Sequence, residues 1–193
     1  MLIVLLFLIP LLTMRSFSEE KKYKTDQLLL TAPVNIWSII LGKFLAMVTM
    51  MAIATLVISI GTLLLAVYGN LPVAETIMAF IAFFLYGCIC IAIGMFMSYV
   101  TGNQFIAAIL TYGFYIFMIL VPSFCQLLLG MDHWIVKAVS IFDAITPFNM
   151  LFSGIIVVTD MVYVFSAIFV MLFLTWFMVG KNSFQLTNDG KKN

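Results

Sequence analysis

Charge is what this sequence has least of. Eight acidic and nine basic side chains serve 193 residues, 9% of the chain, against about 25% in an ordinary soluble domain. With 65% apolar residues and a mean hydropathy of +1.22, there is too little polar material to cover a water-facing surface. The chain is therefore read as an integral membrane protein. The net charge of +1 carries little information, because in membranes the placement of Lys and Arg outweighs their sum. No basic patch exists beyond one loop, so no nucleic-acid partner is expected.

Catalytic material is equally scarce. The single histidine, His133, stands beside Asp132, and no serine is patterned around it as a nucleophile–base pair would require. The pair reads as polar groups of an outer turn. Cys88, Cys90 and Cys125 all lie in apolar runs and read as small packing residues. Two residues apart on a helix, Cys88 and Cys90 point about 200° away from each other and cannot share a metal from one face. No glycine-rich loop ending in Lys-Ser/Thr occurs, so the chain is not expected to hydrolyse ATP. No catalytic, cofactor-binding or metal-binding residue is assigned. Beyond Glu19-Glu20 the acids are scattered singly, and Asp143 and Asp160 read as water-facing structural acids. No mid-span carboxylate is placed to carry protons, which counts against a secondary transporter.

Long apolar runs are present instead. Met1 to Met14 falls short of the roughly 20 residues that cross a bilayer, and it has neither the basic start nor the cleavage site of a signal peptide. It reads as the second half of a span, so the chain is expected to be N-terminally incomplete. Ile39 to Val67 is long enough to cross with tilt, with Trp37 and Lys43 as interfacial anchors near its start. After the turn cluster Tyr68-Gly69-Asn70-Leu71-Pro72, a span is predicted over Thr76 to Ser98, with Glu75 marking its outer end. Within that span Cys90, Gly94 and Ser98 recur every four residues, a stripe of small side chains suited to close helix packing. A tight hairpin at Thr101 to Gln104 leads to a fourth span, Phe105 to Leu129, expected to break or kink near Pro122.

Trp134 to Asp160 is apolar but contains Lys137, Asp143, Thr146-Pro147, Asn149 and Asp160. A carboxylate at mid-bilayer costs at least about 2.5 kcal/mol, and a central proline frees backbone groups that lipid cannot satisfy. Residues 134–160 therefore read as a re-entrant helical pair on the outer face. Met161 to Gly180 is the last span, followed by a polar tail carrying Lys181, Lys191 and Lys192. The fold class is all-α: a polytopic transmembrane bundle of about five spans, the first partial, forming a single transmembrane domain over 1–193. Arg15, Lys21, Lys22, Lys24 and Lys43 place the segment between the first two runs in the cytoplasm, and alternation places the Lys-bearing tail there too.

That segment, Arg15 to Lys43, holds eight of the seventeen charged side chains. Ser16-x-x-Glu19 has the form of a capping box, which predicts a helix starting at Phe17. Glu19 and Glu20 fall at its favourable end, and Lys21, Lys22 and Lys24 follow. Phe17, Gln27, Leu28 and Leu30 supply an edge toward the bilayer. Pro33 disfavours helical geometry at Ala32 and suits the first turn of a new helix, so a sharp corner is expected there. Anionic headgroups repel Glu19 and Glu20, so exposed carboxylates on such a helix favour a protein partner over lipid.

The stretch MRSFSEEKKYKTDQLLLTAPVNIWSIILGKFLA, Met14 to Ala46, resembles the membrane subunit of type 2, export-class ATP-binding-cassette (ABC) transporters, in the branch of gliding-motility-type permeases. The residues that carry the likeness are Met14, Arg15, Phe17, Glu19 to Lys21, Thr25 to Thr31, Ala32-Pro33 and Leu41 to Phe44. A weaker likeness covers TPFNMLFSGIIVVTDMVYVFS, Thr146 to Ser166. The resemblance implies that residues 15–35 form a coupling helix seated in a groove of a separate ABC ATPase subunit. Glu19, Glu20, Lys21, Leu28, Leu29 and Pro33 would then be docking residues without catalytic roles. It also implies a second permease subunit as partner, a multi-pass location in the plasma membrane, and a function in ATP-driven export. The family normally has six spans, so the chain would begin within the second. The competing reading is a non-transport membrane scaffold or assembly factor that recruits a cytoplasmic partner through the same helix.

Overall fold

The computed structural model describes residues 2–23, 35–68, 73–129, 148 and 158–189. Six helices account for them: α1 (Leu2–Thr13), α2 (Ser18–Tyr23), α3 (Ile36–Tyr68), α4 (Val73–Val100), α5 (Gln104–Leu129) and α6 (Val158–Asp189). No strand occurs among the described residues. Helices α3 to α6 are each long and apolar enough to cross a bilayer, and α1 is the short partial element read from the first run. The chain is a multi-pass helical bundle.

Helix α4 is its centre. Just over half of its spanning window is buried (56%), against 11 to 28% for the other three long helices, and every residue from Gly87 to Met95 is enclosed. It packs against α1, α3, α5 and α6 in turn. The outward faces of α3, α5 and α6 carry large exposed apolar side chains such as Leu56, Phe117 and Phe169, as lipid-facing helices do. The long helices alternate in direction. Met161 of α6 packs on the cluster of Ala82 of α4 and Phe148, whereas Met178 of α6 accepts a hydrogen bond from Tyr99 of α4. A stacked pair, Trp37 on Trp176 with centroids 5.5 Å apart, fixes the start of α3 beside the end of α6. One end of the bundle thus gathers the end of α1, α2, the start of α3, the end of α4 and the last turns of α6 within the apolar region. Phe148 packs at the opposite end, on Tyr86 and Ala82.

Two expectations are corrected in detail, and one helix is longer than its span. Pro122 does not break α5, which runs unbroken through it. A proline removes one backbone donor, but spanning helices tolerate such a proline. Helix α6 runs on to Asp189, past the end of its membrane-spanning part, Val158–Lys181, which matches the predicted last span. Phe17 faces the protein interior, not the bilayer, for reasons given below. The Pro33 corner with Leu28 and Leu29, and the re-entrant segment apart from Phe148 and Val158 to Asp160, lie outside the described residues.

Candidate functional site

The charged segment begins where α1 ends. The Met14 amide still donates to Pro10 O, the Ser16 amide to Thr13 O, and the chain turns through Arg15 and Phe17 into α2. The Phe17 carbonyl accepts the first bond of α2, from the Lys21 amide at 3.1 Å. Phe17 is therefore the cap position, one residue later than the Ser16 box predicts, and its side chain has no oxygen with which to cap. The Ser16 hydroxyl is buried without a hydrogen-bond partner among the described residues.

The capping oxygen comes from another helix. Ser98 Oγ accepts from the Phe17 amide at 3.1 Å and the Ser18 amide at 3.2 Å, and it donates to Met14 O at 3.1 Å. One hydroxyl offers one donor and two acceptor sites, so all three are used. Backbone amides at a helix start lack partners within the helix and are costly to bury unpaired. Ser98, itself fully buried, satisfies them from the end of α4. The Ser18 hydroxyl also donates to Met14 O.

Below Ser98, α1 comes closest to α4 at Gly94. A Cβ built on Gly94 would lie 2.8 Å from Thr13 Cβ and closer still to its Oγ1, so α1 approaches α4 only because residue 94 has no side chain. Cys90 closes the stripe against α5, where its carbonyl accepts from Tyr115 Oη at 2.6 Å.

Two lysines and two aromatic rings hold the outer side of the turn. Lys43 of α3 pairs with Glu20 at 2.5 Å, donates to Ser16 O at 2.7 Å and lies 4.1 Å from the Phe17 ring centroid. The Phe17 ring meets Tyr99 edge to face, with centroids 5.4 Å apart and planes at 88°. Lys21 lies over the other ring, 4.0 Å from the Tyr99 centroid, and donates to Tyr99 O at 2.5 Å. The order Lys43, Phe17, Tyr99, Lys21 places a cation against each aromatic ring, an arrangement the negative ring faces favour. Tyr99 extends the connection by donating to Met178 O of α6 at 3.4 Å.

The predicted docking residues therefore separate into two groups. Glu20 and Lys21 turn toward the bundle and hold α2 in place. Glu19 is half-buried, while Lys22 and Tyr23 are exposed on the same short helix. Lys43 turns into the turn of chain instead of serving only as an interfacial anchor, because a carboxylate and a backbone carbonyl lie within its reach. Sequence reasoning found Ser98 as a packing residue and missed its role as a cap; it did not single out Thr13 or Tyr99. The available signal was topological: the Thr101 to Gln104 hairpin falls on the same side as the charged segment, so the last polar side chains of α4 were bound to lie near it.

The family model described as ABC-2 family transporter protein matches residues 1–180. No curated protein and no solved structure matches the chain.

Proposed function

The chain belongs to the ABC-2 family of transporter proteins, and from that premise we propose that it couples to a separate ATPase subunit to drive export. Its family makes it a transmembrane transport component, not itself catalytic. In this reading residues 1–193 form one permease domain, of the gliding-motility-type branch, in the plasma membrane beside a second permease subunit. The observation that carries the reading is the anchored α2: a short charged helix gripped by α3 and α4 at the end where Arg15, Lys21, Lys22 and Lys43 cluster. Lys and Arg mark the cytoplasmic side, which is where an ATPase would meet it.

A helix gripped in this way can receive force. When two ATPase subunits close on nucleotide, a helix seated on them is displaced, and packed helices answer such a displacement by rocking between discrete arrangements. The energy available is the difference in affinity of the ATPase for the two arrangements. Glu19, Lys22 and Tyr23 supply the contact in the described part of the segment, with Leu28, Leu29 and Pro33 continuing it; Glu20 and Lys21 act by fixing the helix.

The test is co-purification with a candidate ABC ATPase subunit. Reversing Glu20 would set a second ammonium against Lys43 and disturb the fold, so the informative variant is Glu19→Lys with Lys22→Glu. It should lose the ATPase while inserting into the membrane and melting like the wild type. A variant that retains the ATPase and its full hydrolysis rate would overturn the docking assignment.

A further inference from the structure

We propose that Ser98 is a positioning residue of the transport cycle, carrying the movement of α2 directly into the central helix α4. This rests on the reading of α2 as the ATPase-docking helix. By sequence α2 is joined to α1 and, through residues 24–34, to α3, so the covalent path leads to the outer helices. The hydrogen bonds lead elsewhere.

Ser98 is set apart by how its hydroxyl is used. Spanning-helix hydroxyls ordinarily bond back to a carbonyl of their own helix. Thr55 bonds to Met51, Thr111 to Ala107, Ser123 to Ile119, Ser166 to Tyr163 and Thr175 to Met171. Ser98 spends all of its capacity on Met14, Phe17 and Ser18, some eighty residues away in the chain. Its buried bonds close a helix start that has no cap of its own, since Phe17 occupies the cap position, whereas α3 and α5 are capped by their own Asn35 and Asn103. Displacing α2 without α4 would strip two backbone amides of their acceptor in a site with no exposure to solvent. Moving α4 with α2 keeps them satisfied. Tyr99, the next residue, passes the displacement on through its ring contact with Phe17 and its bond to Met178 of α6. Because α4 packs against α1, α3, α5 and α6, a shift at its end reaches the whole bundle.

The experiment uses the full chain with its ATPase in liposomes and two readouts. The first is amide hydrogen exchange over residues 14–23. The second is the ATP-dependent change in distance between spin labels at Leu128→Cys and Val158→Cys, exposed positions at the far end of α5 and α6, with Cys125→Ala. Ser98→Ala removes one atom and adds none, so it introduces no clash. It should raise exchange over residues 14–23 roughly tenfold, the factor expected for losing a stabilising hydrogen bond, and reduce the ATP-driven distance change by about half or more, with the ATPase still bound. Thr111→Ala, which deletes an equally buried hydroxyl bonded within its own helix, should leave both readouts at wild-type values. Unchanged exchange in Ser98→Ala overturns the positioning role. Raised exchange with a full distance change shows that Ser98 holds the turn but carries no movement, and overturns the relay. A wild-type chain that recruits no ATPase overturns the docking reading, and the relay with it, while the exchange result still decides whether Ser98 caps α2.

Discussion

Thr13 fills the space that a side chain at Gly94 would occupy. Its Cβ lies 2.8 Å from where a residue-94 Cβ would stand, and its hydroxyl is turned back to Ile9 O at 2.9 Å, leaving the methyl and hydroxyl wedged against α4. Thr13 sits one residue before the turn into α2, so this contact sets the height at which the charged segment leaves α1.

Gly94→Ala should therefore destabilise the protein although alanine is the better helix former. Glycine in a helix interior costs about 0.5–1 kcal/mol relative to alanine, whereas overpacking a close contact costs about 1–3 kcal/mol. The clash involves a β-branched side chain fixed by its own hydrogen bond, so the second effect wins. Gly113→Ala supplies the contrast: nothing lies within 4 Å of a Cβ there, and the propensity gain should appear undiminished. Thermal unfolding in detergent should move down for the first variant and slightly up for the second.

Glu20 and Lys43 invite a double-mutant cycle. Their side chains keep 30% and 20% of their exposure, so water screens part of the attraction and a coupling of about 1 kcal/mol is expected, above the median for exposed pairs. The single variants should be unequal. Glu20→Gln retains an acceptor for the ammonium. Lys43→Met removes the contacts to Glu20, Ser16 O and the Phe17 ring together and should cost more. Additive effects of Glu20→Gln and Lys43→Met in the unfolding free energy would show that the pair contributes no coupling.

The spans were legible because hydrophobic runs and their interruptions are set by the bilayer itself. Four runs led to four long helices, with ends displaced by a few residues where caps or stop signals decided. Cys90, Gly94 and Ser98 share a face by helical period alone, and Gly94 is where α1 comes against α4. The cap of α2 was not legible. Ser16-x-x-Glu19 satisfies the local pattern, yet the hydroxyl that caps the helix comes from Ser98, and no local rule contains a residue 80 positions away. Lys43 was misjudged in the same manner: its position near a span start suggests snorkelling, and only the folded chain brings Glu20 to it.

Tyr115→Phe tests whether a hydrogen bond between spans matters as much as the cap at Ser98. Tyr115 is buried and donates to Cys90 O at 2.6 Å, but that carbonyl belongs to the interior of α4 and keeps its helical partner when the hydroxyl is gone. Hydrogen bonds between spanning helices average about 0.6 kcal/mol. The loss in unfolding free energy should stay near that value and below the loss for Ser98→Ala, which orphans backbone groups. A larger loss for Tyr115→Phe would mean that the α4–α5 contact, not the turn before α2, is the chief polar fastening of the bundle.

Single cysteines at Tyr23, Asn103 and Lys181 test the arrangement of helix ends. All three are exposed or partly exposed polar positions, and the bundle places the end of α2, the α4–α5 hairpin and the last apolar turns of α6 at one end. By the excess of Lys and Arg there, the proposed topology puts that end in the cytoplasm. In right-side-out vesicles a membrane-impermeant maleimide should leave all three unlabelled, and in inverted vesicles it should label all three. Asn70→Cys, between α3 and α4 in the sequence, should show the reverse. If Tyr23→Cys and Lys181→Cys label from opposite sides, an odd number of crossings separates them and the parallel packing of α4 and α6 is wrong. If all three label together but from the outside, the packing stands and the cytoplasmic assignment of α2 fails, and with it the meeting of α2 with an ATPase.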